Sequence, residues 1–262
     1  MIPKIIHYCW FGENPKSPLA QACVKSWEKY CPEYIIIEWN ETNYDISAAP
    51  LYVRQAYQNK KWAFVTDYVR LQVVYENGGI YLDTDVELIT NPEKLLKYRA
   101  FFGFEGVDYI NTGLGFGAER GSSILWELMQ DYIDIPFILN DGSFDVTPCP
   151  YRNTPVFVRH GLRLDGTKQA LAHGILVLSA EYLCPIDNAT RILRRTKNTI
   201  SIHHFDASWQ SEEERQAHDK LARQRRIHMR IEALIYFPRR LIRKLLGDKR
   251  YEKIKEKIKR KA

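Results

Sequence analysis

The sequence lacks the short motifs that place many proteins in a nucleotide-binding, hydrolase or zinc class. It has no G-x-x-x-x-G-K-[ST] phosphate loop, no G-x-G-x-x-G after its first predicted strand, no G-x-S-x-G elbow and no H-E-x-x-H pair. It also has no Cys-x-x-Cys, and its 5 cysteines show no metal-type clustering. Scattered cysteines in odd number favour reduced thiols in the cytosol over a disulfide framework.

Long apolar runs are missing too. No stretch approaches the ~20 residues that span a bilayer, and the first residues, MIPKIIHYCWFG, lack the basic and apolar segments of a signal peptide. We therefore expect a cytoplasmic protein that is soluble or bound to a membrane only at its surface. Aromatic residues, by contrast, make up 13% of the 262 residues, which suits a large core or a site that stacks rings and sugars.

Charge is distributed unevenly along the chain. The whole chain has a net charge of +6, but residues 212–262 alone carry +10, so the remainder carries −4. The end of the chain, Phe237–Ala262, combines 12 Lys+Arg with a stripe of leucine and isoleucine. This pattern fits a helix on the inner face of an anionic membrane, and equally a solvated terminal helix. Nucleic-acid binding is disfavoured because no nucleic-acid module accompanies the charge.

Hydrophobic periodicity predicts an α/β protein in which strands alternate with helices and ligands bind at the strand ends. The predicted strands are Ile2–Trp10, Tyr34–Trp39, Ile80–Leu82, Ala100–Phe104, Gly113–Phe116, Ile175–Ser179 and Thr199–His203. The predicted helices are Ser17–Tyr30, Ser47–Asn59, Trp62–Glu76, Ser122–Ile133 and the charged segment from Ser211 onward. Asn77-Gly78-Gly79 is expected to end its helix, because glycine accepts positive φ.

The strongest chemical signal is a pair of aspartates, Asp83 and Asp85, directly after the strand Ile80–Leu82. In a continuing strand both carboxylates would point to one face. Converging oxygen ligands suit Mg²⁺ or Mn²⁺ bridged to a diphosphate. A bare D-x-D is more often a solvated strand end, but the whole stretch NGGIYLDTDVEL is far more specific.

Three further features sit near predicted strand ends or before the aspartates. Asp67 and Arg70 share a helix face at i,i+3, as either a surface ion pair or a clamp for sugar hydroxyls. The pair His203-His204 ends the last strand, where an imidazole could complete a metal site or be structural. Trp10 ends the first strand and is either a core residue or a base-stacking one.

Three segments of the sequence resemble glycosyltransferase family 32, which includes capsule and lipopolysaccharide enzymes and is more distantly similar to the large clostridial toxin glucosyltransferases. The segments are IPKIIHYCWFG, WAFVTDYVRLQVVYENGGIYLDTDVEL and IHHFDASW. The resemblance covers roughly residues 1–120 and 199–209, is weak between them and is absent in the tail. It implies a Rossmann-like GT-A fold that binds a nucleotide-diphospho-sugar, and a retaining transfer of the sugar.

The resemblance also implies roles for individual residues. Asp83 and Asp85 match the D-x-D motif that binds Mn²⁺ or Mg²⁺, and His204 matches the metal histidine, with Asp206 as an alternative ligand. Asp67 and Arg70 match the pair that holds the donor sugar. The residues implied to contact the nucleotide sugar are Trp10, Tyr81, Asn111, Ser208 and Trp209.

We therefore expect a GT-A domain over residues 1–210 and a basic helical extension over residues 211–262 that could anchor the protein to a membrane surface. The expected activity is metal-dependent transfer of a hexose, from a UDP-sugar by preference, to a saccharide or lipid-linked saccharide in surface polysaccharide synthesis. Two alternatives remain from the residues themselves. One is a metal-dependent phosphohydrolase, and the other is a non-catalytic, membrane-associated protein of glycan assembly.

Overall fold

The computed structural model describes residues 1–206, 213, 216, 217 and 219–232. The chain divides into two compact units, Met1–Asn188 with Ile192–Trp209, and Ala189–Arg191 with Gln210–Ala262. The domain boundary expected at residue 210 stays a prediction. Ser208, Trp209 and the basic segment Phe237–Ala262 lie outside the described residues.

Strands and helices of the first unit follow in an α/β order. The strands are β1 (Ile5–Cys9), β2 (Ile35–Trp39), β3 (Gly79–Tyr81), β4 (Val86–Leu88), β5 (Ala100–Glu105), β6 (Tyr109–Ile110), β7 (Phe116–Ala118), β8 (Gln169–Leu171), β9 (Ile175–Leu178), β10 (Ile186–Asp187), β11 (Ile192–Leu193) and β12 (Ser201–His203). The α-helices are α1 (Pro18–Tyr30), α2 (Leu51–Gln58), α3 (Trp62–Asn77), α4 (Ser123–Gln130), α5 (Cys149–Arg159) and α6 (Ala180–Leu183).

The central sheet is mixed and has the order β2-β1-β3-β7-β5-β9-β8, with β6 added beside β5. Parallel pairing joins β1 to β2, β1 to β3 and β5 to β9, whereas β7 runs antiparallel to both β3 and β5. Consequently β1, β2, β3, β5 and β9 all run in one direction. Their carboxyl ends meet at one edge of the sheet, which is where open α/β sheets bind ligands.

Each face of the sheet carries its own hydrophobic core. Strand β5 shows the alternation, because Phe102 packs into the core formed with α2 to α5, while Phe101 packs into the core formed with α1 and α6. Trp27 of α1 is fully buried and donates its indole N–H to the Val86 carbonyl at 2.7 Å. The predicted α/β class is therefore confirmed.

Local sequence signals explain where several elements begin and end. Ser17 caps α1 by accepting from the Ala20 N–H at 3.1 Å, and Pro18 occupies the first turn. Helix α3 ends as predicted, with Gly78 at φ 68° and Gly79 at φ 115°. A Cβ at Gly79 would lie 2.8 Å from the Ile5 carbonyl oxygen, so the turn after α3 admits only glycine beside β1.

Some predictions of secondary structure were wrong in detail. The helix predicted from Ser47 begins only at Leu51, because Pro50 precedes it in an extended conformation. The strand predicted over Gly113–Phe116 is a 3₁₀ turn at Thr112–Leu114 followed by β7. Helix α5 lies in a region without a prediction from the sequence, because Pro150 and Pro155 are unfavourable signals for a helix. Pro150 lies in the first turn of α5, where proline is tolerated.

The described part of the second unit contains the helix α7, residues 219–232. Arg226 of this helix donates to the Thr190 carbonyl of the same unit at 2.7 Å. Among the described residues, no helix combines the length and the apolar character that crossing a membrane requires.

Candidate active site

The two aspartates of the D-x-D motif lie in a turn that links β3 to β4. The sequence allows a strand that continues through both aspartates, but strand β3 ends at Tyr81. The turn, and not a strand, therefore brings the two carboxylates together. The Val86 N–H closes the turn on the Asp83 carbonyl at 2.9 Å. Asp85 accepts from the Asp206 N–H at 2.9 Å through its carboxylate. This arrangement holds both carboxylates at the ligand-binding edge of the sheet.

His203 is the histidine that the structure places beside these carboxylates. Its Nε2 lies 3.3 Å from Asp85 Oδ1, and one ligand atom each from Asp83, Asp85 and His203 fit within 4.8 Å of one another. His204, the predicted metal ligand, instead pairs with Glu87 at 3.0 Å. Adjacent side chains of a strand point to opposite faces, so only one of the two histidines can face the turn, and the buried His203 does so.

A buried arginine, Arg70, connects the carboxylates of Asp67 and Asp83. Arg70 Nη2 lies 2.9 Å from Asp67 Oδ1, and Arg70 Nη1 lies 3.4 Å from Asp83 Oδ2. The guanidinium also donates to the Thr66 carbonyl and hydroxyl and stacks over the Tyr81 ring at 5.3 Å. Asp67 and Arg70 are both buried. A surface ion pair, one of the two alternatives from the sequence, is therefore wrong, because Asp67 and Arg70 form an ion pair in the interior.

The electrostatics of the site follow from burial and from these contacts. Burial raises the pKa of the Asp67 carboxyl to about 6, although Arg70 opposes the rise. Burial also raises the pKa of Asp83, again against Arg70. Burial alone would raise the pKa of Asp85, but His203 outweighs it and holds the pKa at about 2. Asp85 is therefore ionised at neutral pH.

Gly113 lets the site close around Asp83. A Cβ at this position would lie 2.6 Å from Asp83 Oδ2, 3.0 Å from Asn111 Oδ1 and 3.1 Å from Arg70 Nη1. Asn111 caps the 3₁₀ turn by accepting from the Gly113 N–H at 2.7 Å. The predicted sugar-contacting residue Asn111 thus lies against the same small volume as Asp83 and Arg70.

The remaining predicted residues have defined places. Tyr81 is buried and donates its hydroxyl to Asp83 Oδ1 at 2.9 Å, so it orients that carboxylate. Trp10 directly follows β1 at the same edge of the sheet, where its indole N–H donates to the Asn14 carbonyl and Lys16 lies over its ring. Whether Trp10 and Tyr81 contact a nucleotide stays a prediction.

Sequence reasoning named the pair His203-His204 but assigned the metal to His204, and it missed Gly113 and Cys149. The alternation Thr199-Ile200-Ser201-Ile202 could have favoured His203 over His204, because the apolar residues mark the opposite face of the strand. Gly113 and Cys149 gave no signal. Cys149 lies 3.5 Å from Asn111 Oδ1 and hydrogen-bonds Asp67, which only the position of α5 brings about.

The sequence of residues 17–102 matches the family described as glycosyltransferase sugar-binding region containing DXD motif. The match covers about a third of the chain, the part that carries the D-x-D motif. The matched residues include the ion pair Asp67–Arg70 and both aspartates of the motif. This family match supports sugar transfer in general. Divalent metals and nucleotide sugars are what enzymes with this motif generally use.

Solved structures of glycosyltransferases are also similar to this chain at low identity, and no curated protein matches it. PaToxG Glycosyltransferase is 16% identical with a TM-score of 0.47, covering 60% of this chain and 69% of its own. A glycosyltransferase involved in glycosylation of the major capsid of PBCV-1 is 17% identical with a TM-score of 0.43, covering 83% and 99%. The galactosyltransferase LgtC, solved with donor and acceptor sugar analogues, is 16% identical with a TM-score of 0.39, covering 84% and 95%.

Proposed function

We propose that the protein is a metal-dependent, retaining glycosyltransferase that moves a hexose from a nucleotide sugar to a saccharide or lipid-linked saccharide. The observation that carries the proposal is the convergence of Asp83, Asp85 and His203 beside the buried Asp67–Arg70 pair. A UDP-sugar is the favoured donor. The proposed role of the enzyme is the synthesis of a capsule, lipopolysaccharide or other surface polysaccharide. It would act in the cytoplasm, held peripherally on the membrane through its basic tail.

The donor set fits a divalent ion of the Mn²⁺ or Mg²⁺ type. Two carboxylate oxygens and an imidazole nitrogen are ligands that Mn²⁺ accepts, and His203 favours it over Mg²⁺. Asp85 is ionised and can bind a cation. Burial lowers the pKa of His203, but Asp85 raises it well above its usual value, so His203 would bind the ion only after losing its proton. When bound, such an ion supplies neutralisation of the charge that develops on a diphosphate leaving group.

The chain's own residues would hold the sugar and the metal ligands in place. Tyr81 and Arg70 each hold one oxygen of Asp83, so that this carboxylate keeps one orientation. Asp67 and Arg70 offer an acceptor and a donor to sugar hydroxyls from a dry, fixed position. Positioning and preorganised charge of this kind supply much of the rate in group transfer. Retention requires only that the acceptor hydroxyl attack from the side of the leaving phosphate, which can itself take the proton.

A thermal-shift experiment tests the donor site. The wild type is mixed with UDP, GDP, ADP and CDP, each with and without Mn²⁺, and compared with Asp85→Asn. A ligand that binds only the folded state raises the melting temperature by mass action. We expect stabilisation by one nucleoside diphosphate that requires Mn²⁺ and is lost in Asp85→Asn.

Asp165→Asn is the matched control, because Asp165 is an exposed carboxylate in a loop away from the site. It should respond to the nucleotide as the wild type does. A wild type that responds to no nucleotide in the presence of Mn²⁺ would refute the donor site. Release of phosphate from simple esters would then favour the phosphohydrolase. With a donor identified, the anomeric configuration of the product, read by NMR, tests retention.

A further inference from the structure

The edge of the sheet that carries the D-x-D turn also carries a carboxylate without a role so far. Glu105 ends β5, and β5 runs parallel to β9 and in the same direction as β3. Its side chain is half-buried. Asn111 donates to Glu105 Oε2 at 2.7 Å, and Asn188 donates to Glu105 Oε1 at 3.1 Å. Two amides therefore fix the orientation of this carboxylate.

Glu105 is connected to the proposed donor site through Asn111. The amide of Asn111 spans the two, because its Nδ2 donates to Glu105 while its Oδ1 accepts from the Gly113 N–H. Gly113 in turn lies close to Asp83 and Arg70, since a Cβ added there would come within 3.1 Å of both side chains. Glu105 thus lies one side chain away from the clamp that would hold the donor sugar.

Glu105 is also next to an exposed pair of tyrosines, Tyr109 and Tyr151, through its pairing with Tyr109. Tyr109 is the cross-strand neighbour of Glu105 in the β5–β6 hairpin. Its ring lies 4.9 Å from the ring of Tyr151, and the two side chains are 36% and 57% exposed. Val107 at the hairpin tip is also 57% exposed. Neighbouring exposed aromatic and apolar residues are typical of a binding surface.

Helix α5 fixes the tyrosines relative to the donor side. Its first residue, Cys149, contacts Asn111 and Asp67, and Tyr151 follows two residues later. Further along, the Thr154 hydroxyl accepts from the Ile110 N–H at 2.9 Å and binds the helix to β6. The rings are therefore held by packed elements and not by a loop.

We propose that Glu105, Tyr109 and Tyr151 form the subsite that binds the acceptor, and that its occupant is a pyranose. A tyrosine face offers a flat apolar surface to the C–H face of a sugar ring, and a fixed carboxylate accepts hydrogen bonds from sugar hydroxyls. Because only Asn111 and Gly113 separate Glu105 from the clamp, a ring bound here would bring a hydroxyl towards the donor sugar. This inference rests on the proposed sugar transfer, since it requires a donor at the clamp.

Binding of simple sugars to the full chain tests the subsite. The probes are methyl glycosides of glucose, galactose, mannose and N-acetylglucosamine, together with lactose, measured by saturation-transfer NMR with UDP and Mn²⁺ present. We expect at least one of these sugars to bind the wild type. Tyr151→Ala should weaken that binding at least about 10-fold, whereas Tyr151→Phe should stay within about 2-fold, because stacking needs the ring and not the hydroxyl. Glu105→Gln should weaken it as well.

Trp126→Ala is the matched control, since Trp126 is 51% exposed on α4 and takes no part in the subsite. Unchanged affinity in Tyr151→Ala would overturn the inference, and so would the absence of binding by every sugar to a wild type that binds UDP and Mn²⁺. A wild type that fails to bind UDP and Mn²⁺ at all would instead refute the proposed function. The two failures are therefore distinguishable.

Discussion

Removing the guanidinium of Arg70 should destabilise the protein far more than the loss of an ordinary ion pair. Arg70 is 4% exposed and sits between Asp67 at 2.9 Å and Asp83 at 3.4 Å. Arg70→Met keeps most of the side-chain volume but leaves two carboxylates without their cation. Breaking a buried pair in this way costs about 3–5 kcal/mol, because the remaining charge stays desolvated.

The stability lost in Arg70→Met should depend on pH, and the burial of Asp67 determines whether the loss is larger at high or at low pH. Burial raises the pKa of Asp67 to about 6 against the lowering effect of Arg70, so removing Arg70 raises that pKa further. A carboxyl whose pKa is higher in the folded than in the unfolded state stabilises the fold at low pH and loses that contribution as pH rises. Arg70→Met should therefore be more damaging at pH 8 than at pH 5.5.

Urea unfolding with EDTA present measures both effects on the metal-free protein. Adding Asp67→Asn to the Arg70→Met variant should restore much of the stability at pH 8, since it removes one of the two unpaired charges. Arg163→Met serves as the control, because Arg163 pairs with Asp165 at the surface. The urea midpoint of this variant should match that of the wild type. A loss below about 1 kcal/mol, the range of surface pairs, or a loss equal at both pH values would refute the reasoning.

Two further predictions concern the geometry of the site, and a third concerns the buried His7 of β1. His203→Ala should lower Mn²⁺ affinity at least about 10-fold in the presence of the nucleotide, whereas His204→Ala should lower it less, as isothermal titration would show. Gly113→Ala should weaken nucleotide stabilisation in the thermal-shift assay, because its Cβ would lie 2.6 Å from Asp83 Oδ2. Burial lowers the pKa of His7, so the wild type should lose stability as pH falls below about 6.5, and His7→Gln should flatten this decline in urea unfolding.

Much of the fold could be predicted because local signals agree with the tertiary structure. Ser17 and Pro18 mark the start of α1, and the two glycines after Asn77 mark the end of α3. The order of the strands was beyond sequence reasoning. The insertion of β7 between β3 and β5 depends on long-range pairing that no periodicity encodes.

Within the candidate site, proximity in sequence decided what could be foreseen. Asp67, Arg70, Asp83 and Asp85 lie within one helix–turn–strand unit, where spacing restricts their geometry. His203 comes from a distant strand, β12, whose register against β4 sets which histidine faces the turn. The carboxylate of Glu105 gave no signal, because its two amide partners come from different loops.

The candidate site also predicts a conflict between stability and ligand binding that Asp83→Asn should expose. Burial raises the pKa of Asp83 against the pull of Arg70, so the ionised carboxylate costs the metal-free fold stability at neutral pH. Asparagine keeps an oxygen for the Tyr81 hydroxyl and removes the charge.

In urea with EDTA, Asp83→Asn should therefore unfold at a higher midpoint than the wild type at pH 7.5, and the gap should narrow as pH falls and the wild-type carboxyl is protonated. With Mn²⁺ and the nucleotide the order should reverse, since only the wild type gains stability from the ligand. A variant less stable than the wild type without metal would show that Arg70 and Tyr81 more than offset the burial of Asp83.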